Sequence, residues 1–194
     1  MYDRNALHKL IETKALKRGD FTLASGKKSS YFLNCKQVTL DSIGAKLVGE
    51  GILDMLLGDA ASPLGTTALP RAVGGMSIGA DPITASVITV AGFRDLPLLG
   101  FLVRKDVKDH GATAKQYIEG PVASGDEVVI VEDVVTTGGS SLLAIERCEA
   151  IGLKVKGVIA IVDRLEGGRE AFAARGYDCR SLFTIRDFGI EPSK

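Results

Sequence analysis

Val128-Val129-Ile130-Val131-Glu132-Asp133-Val134-Val135-Thr136-Thr137-Gly138-Gly139-Ser140 is the stretch on which the reading of this chain turns. Four β-branched apolar residues predict a buried strand, two adjacent acids follow, and a turn of hydroxyls and glycines leads into Ser141-Leu142-Leu143-Ala144-Ile145, a helical start. A Thr/Gly loop at a helix N-terminus presents free backbone N–H groups, hydroxyl donors and the positive end of the helix dipole, which suits a phosphate. Glu132 and Asp133 are expected at the carboxyl end of the strand, where α/β sheets place their ligands. Carboxylates repel a phosphate, so they are suited instead to sugar hydroxyls or to a magnesium ion taking oxygen ligands. A phosphate and a diol recognised on one short segment imply a ribose 5-phosphate site.

Bulk properties narrow the class. The chain has 194 residues, enough for one domain with a small appended lobe. Lys+Arg 24 balance Asp+Glu 24, so the chain lacks the basic excess of a broad nucleic-acid footprint. Cys35, Cys148 and Cys179 are odd in number and show no C-x-x-C spacing; they read as reduced, buried thiols of a cytoplasmic protein. With His8 and His110 the only histidines, a zinc site is not expected. The N-terminus carries no apolar signal-peptide core, and no apolar run is long enough to span a membrane.

Around the central stretch, strands and helices alternate. Helical spacing of Leu7, Leu10, Ile11 and Ala15 predicts a helix over 3–18 with Gly19 as its stop and His8 on its surface side. Phe21-Thr22-Leu23 and Tyr31-Phe32-Leu33 predict two short strands; Asp41 or Ser42 caps a helix to about Leu57, and 58–70 is a loop by composition. Strands are expected at 72–75, 98–103, from Val128 to the acid pair, at 155–162 and at 180–185, with helices from Asp81-Pro82 to about Val90, over 139–151 and over 166–175. This order implies an α/β fold with a doubly wound, mainly parallel sheet flanked by helices.

A second cluster, Arg104-Lys105-Asp106-Val107-Lys108-Asp109-His110-Gly111, follows a strand and offers cations for a polyphosphate. The 128–140 stretch resembles the 5-phosphoribosyl-1-pyrophosphate (PRPP) signature of type I phosphoribosyltransferases. The 104–111 cluster is similar to the mobile catalytic loop of orotate phosphoribosyltransferases within that group. The segment 21–34, the pair Val73-Gly74-Gly75 and Gly79-Ala80-Asp81-Pro82-Ile83, and the strand end Val162-Asp163-Arg164 resemble the same family's entry hairpin, pyrophosphate-side turn and orotate contact. Matching segments extend from about residue 20 to 165.

The resemblance implies transfer of ribose 5-phosphate from PRPP to orotate, giving orotidine 5'-monophosphate and pyrophosphate in pyrimidine synthesis. It implies Glu132 and Asp133 on the ribose hydroxyls, and Thr136, Thr137, Gly138, Gly139 and Ser140 on the 5'-phosphate. Lys105, Lys108 and His110, with Arg104 beside them, would grip the pyrophosphate. Thr136 and Arg164 would meet orotate, and Mg²⁺ would be held mainly by PRPP with Asp133 nearby. It further implies a homodimer whose loop 104–120 acts in the neighbouring subunit's site. A small hood of residues 1–40 with the C-terminal segment would cover a core of 41–185. Where some members carry a Lys, this chain has Ala24. The readings that remain beside it are a phosphoribosyltransferase for another base and a non-catalytic PRPP-sensing regulator. The retained loop cations speak against the regulator.

Overall fold

The computed structural model describes residues 2–22, 26, 28–58, 69–106 and 117–192. A six-stranded sheet is built from β3 (Ala72–Met76), β4 (Leu99–Val103), β5 (Ile118–Glu119), β6 (Glu127–Val135), β7 (Lys154–Asp163) and β8 (Cys179–Thr184). The strand order is β5-β4-β3-β6-β7-β8, parallel throughout except for β5, which runs antiparallel at one edge. The parallel interior needs helical crossovers on both faces. These are α3 (Ser42–Leu57) and α4 (Asp81–Phe93) on one side, and α5 (Gly139–Ala150) and α6 (Gly168–Ala173) on the other.

The period-two geometry of β6 shows why its apolar run is continuous. Val129 and Val131 point into a core shared with α3 and α4, while Val128 and Ile130 point into a second core shared with α5 and α6. All four are fully buried. At about 1.5–3 kcal/mol per buried aliphatic side chain, this one strand anchors both layers. The expected α/β, doubly wound sheet is therefore present, and β6 lies at its centre.

A separate antiparallel hairpin, β1 (Leu16–Thr22) with β2 (Lys28–Leu33), stands beside the sheet. Here the sequence expectation needs correction. Helix α1 spans only Arg4–Leu10, a π-helical turn covers Ile11–Ala15, and Leu16 already begins β1. Pairing of Leu16 with Leu33, Lys17 with Phe32 and Arg18 with Tyr31 overrides the helical spacing, and Gly19 (φ +148°) falls in the irregular step of the ladder between Arg18 and Phe21 instead of capping a helix. His8 is also not a free surface group. Its ring stacks on Phe188 at 4.6 Å and its Nε2 hydrogen-bonds the Asp187 carbonyl at 2.8 Å. Arg4 pairs with Asp187 and Arg18 donates to the Phe188 carbonyl, so the N-terminal segment is tied to the 3₁₀ turn Ile185–Phe188.

The remaining boundaries fall close to expectation. Asp41 caps α3 by accepting from the Ile43 and Gly44 N–H groups, and Pro82 sits in the first turn of α4. Helix α6 is shorter than 166–175, because Leu165 (φ +57°) and Gly167 (φ +94°) turn the chain before it begins. The short strand β5 inside the polar stretch was not anticipated; two residues carry no readable alternation. Of the composition loop 58–70, residues 59–68 lie outside the described residues.

Candidate active site

The acids, the loop and the helix start form one cleft of about 390 Å³, lined by the continuous segment from Glu132 to Ser141. Strand β6 carries the chain past the acids as far as Val135; Thr136, Thr137 and Gly138 turn it, and α5 begins at Gly139. Gly138 is left-handed (φ +80°), and a Cβ there would sit 2.9 Å from Phe172 Cζ, so the turn calls for glycine on both conformational and packing grounds. This bend aims the first N–H groups of α5 into the cleft, as anion binding at a helix N-terminus needs. Thr137, Gly139 and Ser140 are exposed to an incoming ligand, Thr136 is half-buried and Gly138 is buried.

Both acids are engaged. Glu132 is buried and accepts a hydrogen bond from Ser141 Oγ at 2.8 Å. Burial, reinforced by the neighbouring Asp133 charge, pushes its carboxyl up to about 7. Asp133 accepts from Lys36 Nζ at 2.9 Å and from the Val134 N–H at 2.9 Å. Burial works against the charge on Lys36, but its hydrogen bond and attraction to Asp133 outweigh that, and its pKa is raised. The turn Ser77-Ile78-Gly79 after β3 closes over the pair. A Cβ on Gly79 would lie 3.1 Å from Asp133 Oδ1 and 3.4 Å from Glu132 Oε1. The Ser77–Ile78 peptide in this turn is cis, and Ser77 Oγ donates to Asp81 at 2.9 Å.

Arg164 follows β7, the neighbour of β6, and its N–H donates to the Val135 carbonyl at 2.9 Å. The residue is only 9% exposed. Nε donates to the Tyr31 hydroxyl at 2.7 Å and Nη2 pairs with Glu166 at 2.8 Å, while the guanidinium lies 4.7 Å from the centre of the Tyr31 ring. Burial raises the Tyr31 pKa, with Arg164 opposing and Glu166 adding to the rise. The strand-end arginine thus meets the β1–β2 hairpin through Tyr31.

Arg104 and Lys105 leave the end of β4. Arg104 pairs with Glu119 at 3.6 Å, and Lys105 is exposed. Lys108 and His110 lie outside the described residues, as does Ala24. Sequence reasoning missed Lys36, Tyr31, Glu166 and Ser141. The signals were faint: a single lysine after the hairpin, a tyrosine in a strand, and a glutamate two places after Arg164. Cys35, Cys148 and Cys179 are free and buried, and burial raises each thiol pKa, as expected of inert reduced cysteines.

Among the described residues there is no group of three or more His, Cys, Asp or Glu side chains able to cage a metal ion. No described helix is long and apolar enough to cross a membrane. No family model matches the sequence. Individual relatives do. The orotate phosphoribosyltransferase of Rhodopirellula baltica is 56% identical over 183 residues, covering 94% of this chain and 92% of the relative. That of Synechocystis is 44% identical over 188 residues, covering 95% and 87%. The crystal structure of Mycobacterium tuberculosis orotate phosphoribosyltransferase in complex with PRPP superposes with a TM-score of 0.77 at 30% identity, covering 96% of this chain and 99% of that one. Such identity over nearly the whole length joins the acid pair, the phosphate-sized turn and the parallel sheet to one conclusion: the chain belongs to the orotate phosphoribosyltransferase family, the pentosyltransferases of pyrimidine biosynthesis.

Proposed function

We propose that the 132–141 cleft binds PRPP and that the residues around it divide the transfer to orotate as follows. The observation that carries this reading is the acid pair held beside a glycine turn at the start of α5. The N–H groups and hydroxyls from Thr136 to Ser140 take the 5'-phosphate. Glu132 and Asp133 accept from the ribose hydroxyls, beside the turn that contains Gly79. Arg164, with one edge already set by Tyr31 and Glu166, meets the orotate carboxylate, and Thr136 meets the base. Lys105, Lys108 and His110, beside Arg104, hold the pyrophosphate.

In the reaction the C1–O1 bond breaks, pyrophosphate leaves with the electron pair, and a C1–N1 bond forms to orotate. Orotate binds as its N1 anion, so no strong general base is needed. Charge grows on the leaving group, and fixed cations stabilise it more in the transition state than in the ground state. A magnesium ion would be held mainly by PRPP oxygens, with the Asp133 carboxylate, an oxygen donor suited to that ion, lining the same cleft. When bound, that ion supplies further charge neutralisation on the pyrophosphate.

The site is completed in a homodimer, with segment 104–120 serving the partner's cleft. Support comes from the exposed apolar side chains of Leu40 (75%), Ile43 (60%) and Phe93 (86%) at and beside α3 and α4, a face suited to a second copy. Residues 1–40 and the C-terminal segment form a hood on the 41–185 core, and the protein works in the cytoplasm.

The test is a spectrophotometric assay with purified protein, Mg²⁺, PRPP and orotate, run in parallel with uracil, hypoxanthine and adenine. Loss of ultraviolet absorbance with orotate alone is expected. Turnover of another base in preference to orotate would overturn the substrate assignment. A Lys108→Ala variant is expected to lower kcat by about a hundredfold while the orotate KM stays within about threefold.

A further inference from the structure

Arg147 has no part in the division of labour above, yet it joins the segments that deliver it. The residue is half-buried on α5, the helix whose first turn forms the phosphate loop. Its Nη1 donates to the Arg104 carbonyl and its Nη2 to the Lys105 carbonyl, the latter at 2.9 Å. The same guanidinium stacks 4.0 Å over the ring of Tyr117, and Nη1 also lies 4.0 Å from Met76 Sδ at the end of β3. Tyr117 in turn accepts from the Arg104 N–H at 2.8 Å. One planar group therefore contacts the chain leaving β4, the chain entering β5 and the end of β3.

Only an arginine serves this arrangement. Two successive carbonyls need two donors in a fixed fork, and the ring of Tyr117 needs a flat cation above it. Lysine keeps the charge but lacks both the fork and the flat face.

We infer that Arg147 is a positioning residue for the transfer reaction: it fixes the backbone of Arg104 and Lys105, and so sets where the Lys105 ammonium stands. Because α5 starts at the phosphate loop, the same helix that holds the 5'-phosphate orients a cation for the pyrophosphate. Displacement of a catalytic group by about 1 Å is enough to cost on the order of a hundredfold in rate. The inference rests on the assignment of Lys105 to the pyrophosphate given above.

Steady-state kinetics on Arg147→Gln, Arg147→Lys, Lys105→Ala and the Lys105→Ala/Arg147→Gln double variant test it. Arg147→Gln, its rate referred to competent sites counted by PRPP-binding stoichiometry so that loss of folded protein is removed, is expected to lower kcat at least about tenfold with the orotate KM within about twofold. Arg147→Lys should recover only a small part of that loss; full rescue would show that charge alone matters and would overturn the clamp. The double variant should be within about twofold of Lys105→Ala alone, since Arg147 acts through the segment that carries Lys105. Multiplication of the two single losses overturns the inference. Tyr117→Leu changes no residue of α5 and should show a smaller loss of the same kcat-selective kind, which keeps the test open if Arg147→Gln folds poorly. Wild-type kcat in Lys105→Ala would remove the assignment of Lys105. A slow Lys105→Ala beside wild-type kcat in both Arg147→Gln and Tyr117→Leu would remove the role of Arg147 alone.

Discussion

Glu132 and Asp133 are neighbours on one strand, yet the protein treats them differently. Asp133 is matched with Lys36, whereas Glu132 is buried with Ser141 as its donor and its carboxyl pKa is pushed up to about 7. The folded state therefore binds this proton more tightly than the unfolded chain, where the ordinary value is 4.5. Its stabilising effect is complete below about pH 4.5 and is lost as pH rises through about 7, a contribution on the order of 3 kcal/mol. Ligand-free protein should lose melting temperature between pH 5 and 8, and Glu132→Gln should flatten that slope; an equally steep slope in the variant would show that the linkage lies elsewhere. Asp133→Asn is expected to weaken PRPP binding by about tenfold or more, because the amide accepts less strongly from the diol and releases Lys36. Calorimetry returning wild-type affinity would refute it. The acid pair was legible in the sequence because two acids interrupt an apolar run. Lys36 was not, since its partner lies across the fold.

Among the elements, α5 binds the site together: its first turn closes the 132–141 cleft and its last turn carries Arg147. The turn before it depends on Gly138, where φ is +80° and Phe172 leaves no room for a methyl group. Gly138→Ala should cost about 2 kcal/mol, lower the melting temperature by about 5 °C in a scanning measurement, and weaken PRPP binding by tilting the N–H groups of the helix. The strand–turn–helix pattern was readable from residues 128–145 because every local signal agrees there. The end of the first helix was not readable: residues 11–18 keep helical spacing, while the β1–β2 ladder draws Leu16 onward into a strand.

At the scale of the whole molecule, the two apolar cores on either face of β6 make the sheet rigid enough to hold its carboxyl edge as a platform. Adjacent strands β6 and β7 deliver the glycine turn and Arg164 side by side on that edge. The exposed face that includes Phe93 predicts dissociation of a homodimer in Phe93→Asp, seen as a halved mass by light scattering, with activity falling in parallel. If each subunit's 104–120 segment serves its partner, mixing Lys105→Ala with Asp133→Asn protein should restore about a quarter of wild-type activity. Half of randomly reassorted dimers are hybrids, each with one intact site. No recovery after subunit exchange would place the segment in its own subunit's cleft.

The parallel doubly wound sheet, the acid pair with its glycine turn, and the family resemblance are each written in contiguous residues whose chemistry depends little on distant neighbours. Packing brings the other groups to those residues: Lys36 to Asp133, Tyr31 and Glu166 to Arg164, and Arg147 to the Lys105 carbonyl. These partners are separated along the chain and meet only when the sheet order sets strands beside one another. A short-range pattern cannot encode a contact whose two halves are joined solely by the packed core.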